Sequence, residues 1–253
     1  MTSDAELLDG LEAERREVVV RGGEGATTPV HDAATLIIVD ESEGLPRFLM
    51  GMRGARHVFM ANRFVFPGGR VDECDRHLAA TVTLADDVLA RLMGCVSADF
   101  TAVHAGALAF AAIRETFEET GLLIAEDRPY AGSVPAAFDV FAKRGMTPAT
   151  GALVPVARAI TPQGAPRCFD TRFFVISASS IAGITESFDP PSDELERIGW
   201  ISAGALDDHS IAPITRAVLA EVMTRMKDGT WQDASVRMPF YRVVDGSFQK
   251  DLV

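Results

Sequence analysis

The stretch AGALAFAAIRETFEETGL, from Ala105 to Leu122, decides the fold that this sequence predicts. Its residues are mostly good helix formers, and Gly121 stands where a glycine commonly ends a helix. The half that precedes Arg114 is apolar almost all round, which is typical of a helix buried within a domain. We therefore predict a central helix that packs against a sheet through Phe110, Ile113 and Phe117.

The second half of this helix carries three carboxylates, Glu115, Glu118 and Glu119, at spacings of three and four residues. Such residues share one helix face, where like charges repel one another. An acidic run on a helix is usually only a solvated surface. On a helix that is otherwise buried, however, the carboxylates are expected to face a cleft and a cation. Mg²⁺ is the simplest candidate because it prefers oxygen ligands.

The segment RETFEETGL, Arg114 to Leu122, resembles the second half of the Nudix box, G-x5-E-x7-R-E-U-x-E-E-x-G-U, where U is apolar. Only Thr116 departs from the pattern. The first half is similar to FPGG, Phe66 to Gly69, with Asp75 standing where the box has Glu. Residues 76 to 113 then separate the two halves, where the standard box has seven residues.

An insertion at this point is a feature of one Nudix branch, the coenzyme A diphosphohydrolases with an interrupted box. The likeness extends to FPGGRVD before the insertion and to RCFDTRFF, Arg167 to Phe174, and it covers roughly residues 33 to 225. The resemblance implies an α/β fold, a Nudix-type α/β/α sandwich with a mixed central sheet and a helical insertion within the box. It also implies a hydrolase that splits a diphosphate bond.

The resemblance implies roles for individual residues. Mg²⁺ or Mn²⁺ would be bound by Glu115, Glu118 and Glu119 with the backbone carbonyl of Gly69, and Arg114 would orient Glu115. The general base stays open between Glu115 and Glu194, because clustered carboxylates titrate as a coupled set. Glu196 is the second choice in the loop that carries Glu194. The part played by Asp75, one methylene shorter than the box Glu, is also left open.

The substrate-binding residues that we predict are Arg53, Arg56 and Gly68, since guanidinium groups bind phosphate well and glycine lets the backbone approach a ligand. Arg53 matches an Arg-Ser pair of the coenzyme A branch, but Gly54 replaces the Ser. Coenzyme A or an acyl derivative is the favoured substrate, and NADH or ADP-ribose is the alternative. A Nudix module that senses a nucleotide without cleaving it is disfavoured, because all the box carboxylates of the second half are present.

The amino-acid composition argues against several classes of protein. The net charge of −12 and the lack of a basic stripe argue against binding DNA or RNA. Three scattered cysteines favour a reducing compartment and no disulfide framework. The longest apolar run is too short to span a bilayer, and the acidic N-terminus does not resemble a signal peptide. The expected partner is a small nucleotide-derived molecule, the expected location is cytoplasmic, and a homodimer is left open.

The domain interpretation has three parts: an N-terminal helix and linker over residues 1–30, the Nudix domain over 31–228 with an inserted segment over 76–105, and a tail over 229–253. The first helix is predicted to end near Arg16, and the glycine-rich residues 22–25 are read as a turn. The remaining elements are predicted as follows: strands at 33–39, 47–52, 122–124, 152–160 and 172–177, helices at 136–143 and 213–226, and one or two helices in the insert.

Overall fold

The computed structural model describes residues 3–22, 27–56, 60–130 and 132–253. Within these residues the α-helices are, in chain order, α1 Asp4–Gly22, α2 Glu73–Ala79, α3 Asp86–Leu92, α4 Ala102–Thr120, α5 Asp139–Lys143 and α6 Pro213–Lys227. The strands are β1 Val30–Asp40, β2 Arg47–Arg53, β3 Phe64–Val65, β4 Gly68–Arg70, β5 Ala125–Glu126, β6 Thr147–Pro148, β7 Val154–Ile160, β8 Cys168–Ser177, β9 Leu195–Ser202, β10 Pro239–Val244 and β11 Ser247–Leu252.

One large mixed sheet forms the middle layer, in the order β11-β10-β7-β8-β1-β2-β3. Strand β1 runs parallel to β8 over its whole length, and its other edge is shared between β4 and β2. Strand β9 pairs with β2, and the short strands β5 and β6 form a separate ribbon. The sheet therefore brings the glycines of β4 next to the centre of the molecule.

Helices cover both faces of the sheet, as the alternation of side chains along β1 requires. Leu36 and Ile38 pack into one core, which contains α4 and the helices of the insert. Ile37 and Val39 pack into the second core, with residues of α1 and α6. The predicted α/β/α sandwich with a mixed sheet is confirmed.

The central helix α4 is almost completely buried from Ala105 to Arg114. Its small residues allow close packing: a Cβ added at Gly106 would lie 3.1 Å from the Cβ of Ala79 in α2. The helix ends at Gly121, which has a φ of 78° in the left-handed region that L side chains rarely adopt. The predicted helix and its glycine stop are therefore confirmed.

The insert forms helix α3 between α2 and α4, as its apolar spacing predicted. Val88 and Leu92 of α3 are buried in the same core as α4, and Leu84 joins them just before the helix begins. Helix α2 begins at Glu73, slightly ahead of the predicted insert. The insert is thus part of the helical layer that contains α4.

Two local predictions were wrong. The apolar run 122–124 forms no strand; it is buried against α4, and the strand β5 follows it at residues 125–126. Helix α1 continues well beyond Arg16 to Gly22. It begins with a capping box, in which Ser3 and Glu6 exchange hydrogen bonds. The remaining residues of the predicted glycine turn, 23–25, lie outside the described residues.

The segment after residue 229 packs on the body of the protein. Strand β10 runs parallel to β7, and β11 pairs with β10 at the end of the sheet. Trp231, Phe240 and Tyr241 are buried, so these aromatic residues of the tail complete the core. The predicted helix at residues 213–226 is confirmed as α6, with Pro213 in its first turn.

Candidate active site

The two halves of the interrupted sequence pattern meet at Arg114, a side chain only 3% exposed. Its Nε and Nη2 donate to the two carboxylate oxygens of Asp75, at 3.0 and 2.9 Å. Nη2 also donates to the backbone carbonyl of Arg70, just after the glycines of β4. The insert therefore separates these residues in sequence but not in space.

The remaining nitrogen of Arg114 holds two acids of its own helix. Nη1 donates to Glu115 Oε1 at 2.8 Å and to Glu118 Oε2 at 3.2 Å. Burial alone would lower the pKa of Arg114, but the hydrogen bonds to Asp75 and the charges of Glu115 and Glu118 outweigh it and raise that pKa. The guanidinium thus stays charged at the centre of an acidic cluster, and it fixes the direction of each carboxylate.

Asp75, whose part the sequence left open, is completely buried and has two structural partners. Besides binding Arg114, its Oδ2 accepts a hydrogen bond from the backbone N–H of Asp72 at the start of α2. The shorter side chain therefore still connects the box opening to α4. Sequence reasoning missed this contact because residues 76 to 113 hide the spacing between the partners.

The glycines of β4 bring the backbone up to the acidic helix face. A Cβ on Gly69 would lie 2.4 Å from the carboxyl carbon of Glu115, so no other residue could stand there without displacing that side chain. Gly68 donates its backbone N–H to Glu119 Oε2 at 2.9 Å. Both predicted glycine positions thus contact the predicted acidic residues directly.

Burial makes two of these carboxylates unusually basic. Desolvation raises the pKa of Glu119 to about 8, with added repulsion from Glu115 and Glu194, and the Gly68 hydrogen bond opposes it only in part. Desolvation also raises the pKa of Glu115 to about 7 against the opposing charge of Arg114. The pKa of Glu118 is raised by burial too. The cluster carries more negative charge than the single positive charge of the buried Arg114 can neutralise.

Glu194, the carboxylate that we predicted on a loop, lies close to this cluster. Glu194 lies 3.5 Å from Nη2 of Arg53, and its charge contributes to the raised pKa values of Glu115 and Glu119. The loop is tied to the helix because Ser192 donates its backbone N–H to the carbonyl of Glu118. The second choice, Glu196, is an exposed residue of β9 that pairs across to Met52.

The two predicted phosphate-binding arginines differ in position. Arg53 is mostly buried at the edge of the cluster, and its Nε has no hydrogen-bond partner among the described residues. Arg56 is 90% exposed and lies 3.8 Å from Asp193, which is equally exposed. Arg53 thus lies beside the carboxylates, whereas Arg56 is exposed to solvent.

The donor set suits a hard divalent cation. Three carboxylates and a backbone carbonyl are oxygen ligands, and the close approach of Gly69 to Glu115 leaves no side chain between them. As these side chains stand, Arg114 occupies Glu115 and Glu118, and the described residues contain no group of three His, Cys, Asp or Glu side chains arranged to hold a metal. A cation would therefore compete with Arg114 for the same oxygens.

Comparison with known proteins supports the fold and the class of enzyme. No family model matches the chain, and no curated protein matches it. Among solved structures, a NUDIX hydrolase from Alicyclobacillus acidocaldarius is similar over 80% of this chain and 97% of that one, at 25% identity and a TM-score of 0.58. The NUDIX domain of Shewanella oneidensis NrtR (83% and 97% covered, 10% identity) and a MutT protein from Methanosarcina mazei Go1 (80% and 99%, 14%) have TM-scores of 0.46.

The fold and the acidic cluster are those of an α/β/α protein of the hydrolase class. More particularly, the chain has the fold of the Nudix hydrolases, as its likeness to the Alicyclobacillus enzyme shows, and the two halves of its box-like pattern meet at Arg114. No helix in the described part of the chain is long and apolar enough to cross a membrane.

We predict that Asp75→Asn lowers the free energy of unfolding by about 3 kcal/mol, because it leaves the buried Arg114 without its fully buried carboxylate partner. Urea denaturation followed by fluorescence measures the change. The control is Asp86→Asn in the insert, where an exposed carboxylate is removed and a change below about 1 kcal/mol is expected. An equal loss in both variants would show that the Arg114–Asp75 pair is not a structural centre.

We also predict that Glu119→Gln becomes progressively more stable than the wild type as pH rises, in EDTA. The pKa of Glu119 is about 8 in the folded protein and lies near 4.5 when unfolded, so its contribution to stability is full below 4.5 and lost as pH rises through 8. Melting temperatures on either side of this window measure the effect. The exposed Glu41→Gln is the control, and a pH-independent difference for Glu119→Gln would contradict the desolvation that we infer.

Proposed function

We propose that this enzyme hydrolyses the diphosphate bond of a nucleoside diphosphate linked to another moiety, with coenzyme A or acyl-coenzyme A as the favoured substrate. The observation that carries the proposal is the contact of Arg114 with Asp75, Glu115 and Glu118, which joins the two halves of the interrupted box. A chain that had lost catalysis would have no reason to keep three desolvated carboxylates on one helix face, since each costs folding free energy.

Glu115, Glu118 and Glu119, with the carbonyl of Gly69, would hold Mg²⁺ or Mn²⁺ in this proposal. The carboxylates fit such an ion because burial raises their pKa values, and a cation would stabilise their charged forms. A bound divalent ion supplies Lewis acidity toward the phosphate oxygens and lowers the pKa of water. The same residues form the metal site that the sequence resemblance implies.

The side chains of the protein have separate tasks in this scheme. Arg114 holds Glu115 in one orientation through a charge-assisted hydrogen bond. Glu115 is a candidate to accept a proton from water, because Arg114 holds its carboxylate in one orientation beside the proposed cation site. Glu194 lies on the facing loop and is the second candidate for the same proton transfer. Their mutual repulsion supports the proposal that one of the pair is the general base.

Arg53 is the stronger of the two proposed phosphate-binding residues. Within the part of the chain that the structure describes, its Nε is buried without a hydrogen-bond partner, and its ion pair with Glu194 is a long contact of 3.5 Å. A substrate phosphate would satisfy this nitrogen and offset the repulsion between an anionic substrate and the acidic helix. Arg56 would take part only if its exposed loop closed on the substrate. The backbone of Gly68 would border the phosphates beside Arg53.

Coenzyme A is favoured over other dinucleotide-like substrates by the interrupted box and by the FPGGRVD and RCFDTRFF segments. Gly54, which replaces the Ser of the coenzyme A pattern, favours the alternative of NADH or ADP-ribose. A homodimer and a cytoplasmic location stay predictions beside this proposal. A sensing module without catalysis is opposed by the complete set of carboxylates.

We predict that Glu119→Gln lowers metal-dependent turnover by at least ~100-fold, because it removes a charged ligand from the proposed cation site. Steady-state hydrolysis with Mg²⁺ measures the change. The exposed Glu73→Gln, in the neighbouring helix α2, is the control and is expected to keep wild-type turnover. Full activity of the Glu119 variant would remove this residue from the site.

We expect that coenzyme A or acyl-coenzyme A releases 3′-phospho-AMP with Mg²⁺ or Mn²⁺ and not with EDTA. Chromatography of the products from coenzyme A, acyl-coenzyme A, NADH and ADP-ribose, each under the three conditions, measures the specificity. Hydrolysis of NADH or ADP-ribose alone would support the proposed active site but would replace coenzyme A as the proposed substrate. Binding of nucleotide with no product from any compound would favour the sensing module instead.

A further inference from the structure

Arg53, the arginine that we propose for binding a substrate phosphate, is held by a carboxylate of the protein itself. Its Nη2 lies 3.5 Å from Oε2 of Glu194. The side chain of Arg53 is 20% exposed, whereas that of Glu194 is 53% exposed, so the carboxylate is the more accessible member of the pair. An anionic ligand of Arg53 therefore competes with Glu194 for the same guanidinium.

Arg53 can change its partner at lower cost than the other arginine beside the acidic helix face. Burial raises the pKa of Glu119, and the positive charge of Arg53 partly opposes that rise, so the two groups lie within electrostatic reach of each other. Arg114, by contrast, is buried and has every nitrogen engaged. The 3.5 Å contact of Arg53 is longer than a charge-assisted hydrogen bond, which makes it the weaker and more exchangeable interaction.

Glu194 stands among like charges. Its carboxylate contributes to the raised pKa values of Glu115 and Glu119, so these three acids repel one another. The ion pair with Arg53 offsets part of this repulsion. The position of the Glu194 carboxylate in the free protein therefore depends on Arg53, and a second anion at Arg53 would remove that support.

The backbone on both sides of Glu194 is fixed. The N–H of Ser192 donates to the carbonyl of Glu118 at the end of α4. Leu195 is buried and pairs with Arg53 across strands β9 and β2. A change of partner by Glu194 therefore needs only a rotation of its half-exposed side chain, without movement of the loop.

We propose that Glu194 is an internal competitor for the phosphate-binding position on Arg53. In the free protein its carboxylate holds the guanidinium, and a diphosphate ligand displaces it. This inference rests on the role of Arg53 in the proposed function. Because Glu194 is also one of the two candidates for the general base, the exchange releases that carboxylate when the phosphate binds.

The test is isothermal titration of the full-length protein with inorganic pyrophosphate, in EDTA near neutral pH and at constant ionic strength. We expect the dissociation constant to fall about three- to fivefold in Glu194→Gln, because the competing ion pair is partly exposed and of modest strength. The matched control is Glu196→Gln, which removes the same charge two residues further on. Glu196 is exposed and forms no ion pair with a described residue, so this variant is expected to bind as the wild type does.

A double-mutant cycle with Arg53→Gln separates competition at Arg53 from a general effect of charge. We expect Arg53→Gln to bind pyrophosphate more weakly than the wild type. Adding Glu194→Gln to that variant is expected to give no gain, because the guanidinium for which the carboxylate competes is absent. A gain from Glu194→Gln that depends on Arg53 would support the proposal.

Three results would overturn the proposal: no tighter binding in Glu194→Gln, an equal gain in Glu196→Gln, or a gain that persists in the Arg53→Gln background. The titrations involve neither a metal nor turnover. A failure to hydrolyse coenzyme A and the other compounds would thus reject the proposed function and leave the cycle as it stands. Hydrolysis without coupling between Arg53 and Glu194 would reject only this inference.

Discussion

The buried pair of Arg114 and Asp75 is the interaction on which the rest of the site depends. One guanidinium connects the box opening, the start of α2 and the acidic face of α4. Breaking a buried pair of this kind is costly because the remaining charge has no water to solvate it. The same pair that stabilises the fold thereby fixes Glu115 and Glu118 in place, so stability and site geometry cannot be altered separately.

The sandwich and the acidic helix could be predicted because they depend on local patterns: alternation along β1, apolar residues around α4, and a glycine after it. The run 122–124 was misread as a strand because periodicity alone does not distinguish a buried loop from a strand without a partner. The contact of Asp75 with Arg114 could not be predicted from spacing, since an insert lies between them.

The acidic helix illustrates a conflict between folding and catalysis. Burying Glu115 and Glu119 raises their pKa values. The fold therefore favours the protonated forms of these two side chains near neutral pH. Such a conflict between local structure and global stability is expected where function imposes it. Hydrogen bonds from Arg114 and from the Gly68 amide offset the cost of burying these charges only in part. The negative charge that is not balanced favours the binding of a cation at the cluster.

The close packing of Gly106 on Ala79 has a consequence for how the protein can change over evolutionary time. The insert leaves the core and returns to it at neighbouring points, so its ends are fixed whatever lies between them. Lengthening a loop with fixed ends costs little entropy. The box-like motif is therefore defined by contacts in space and not by a count of residues, so the segment between its halves can change in length while these contacts are kept.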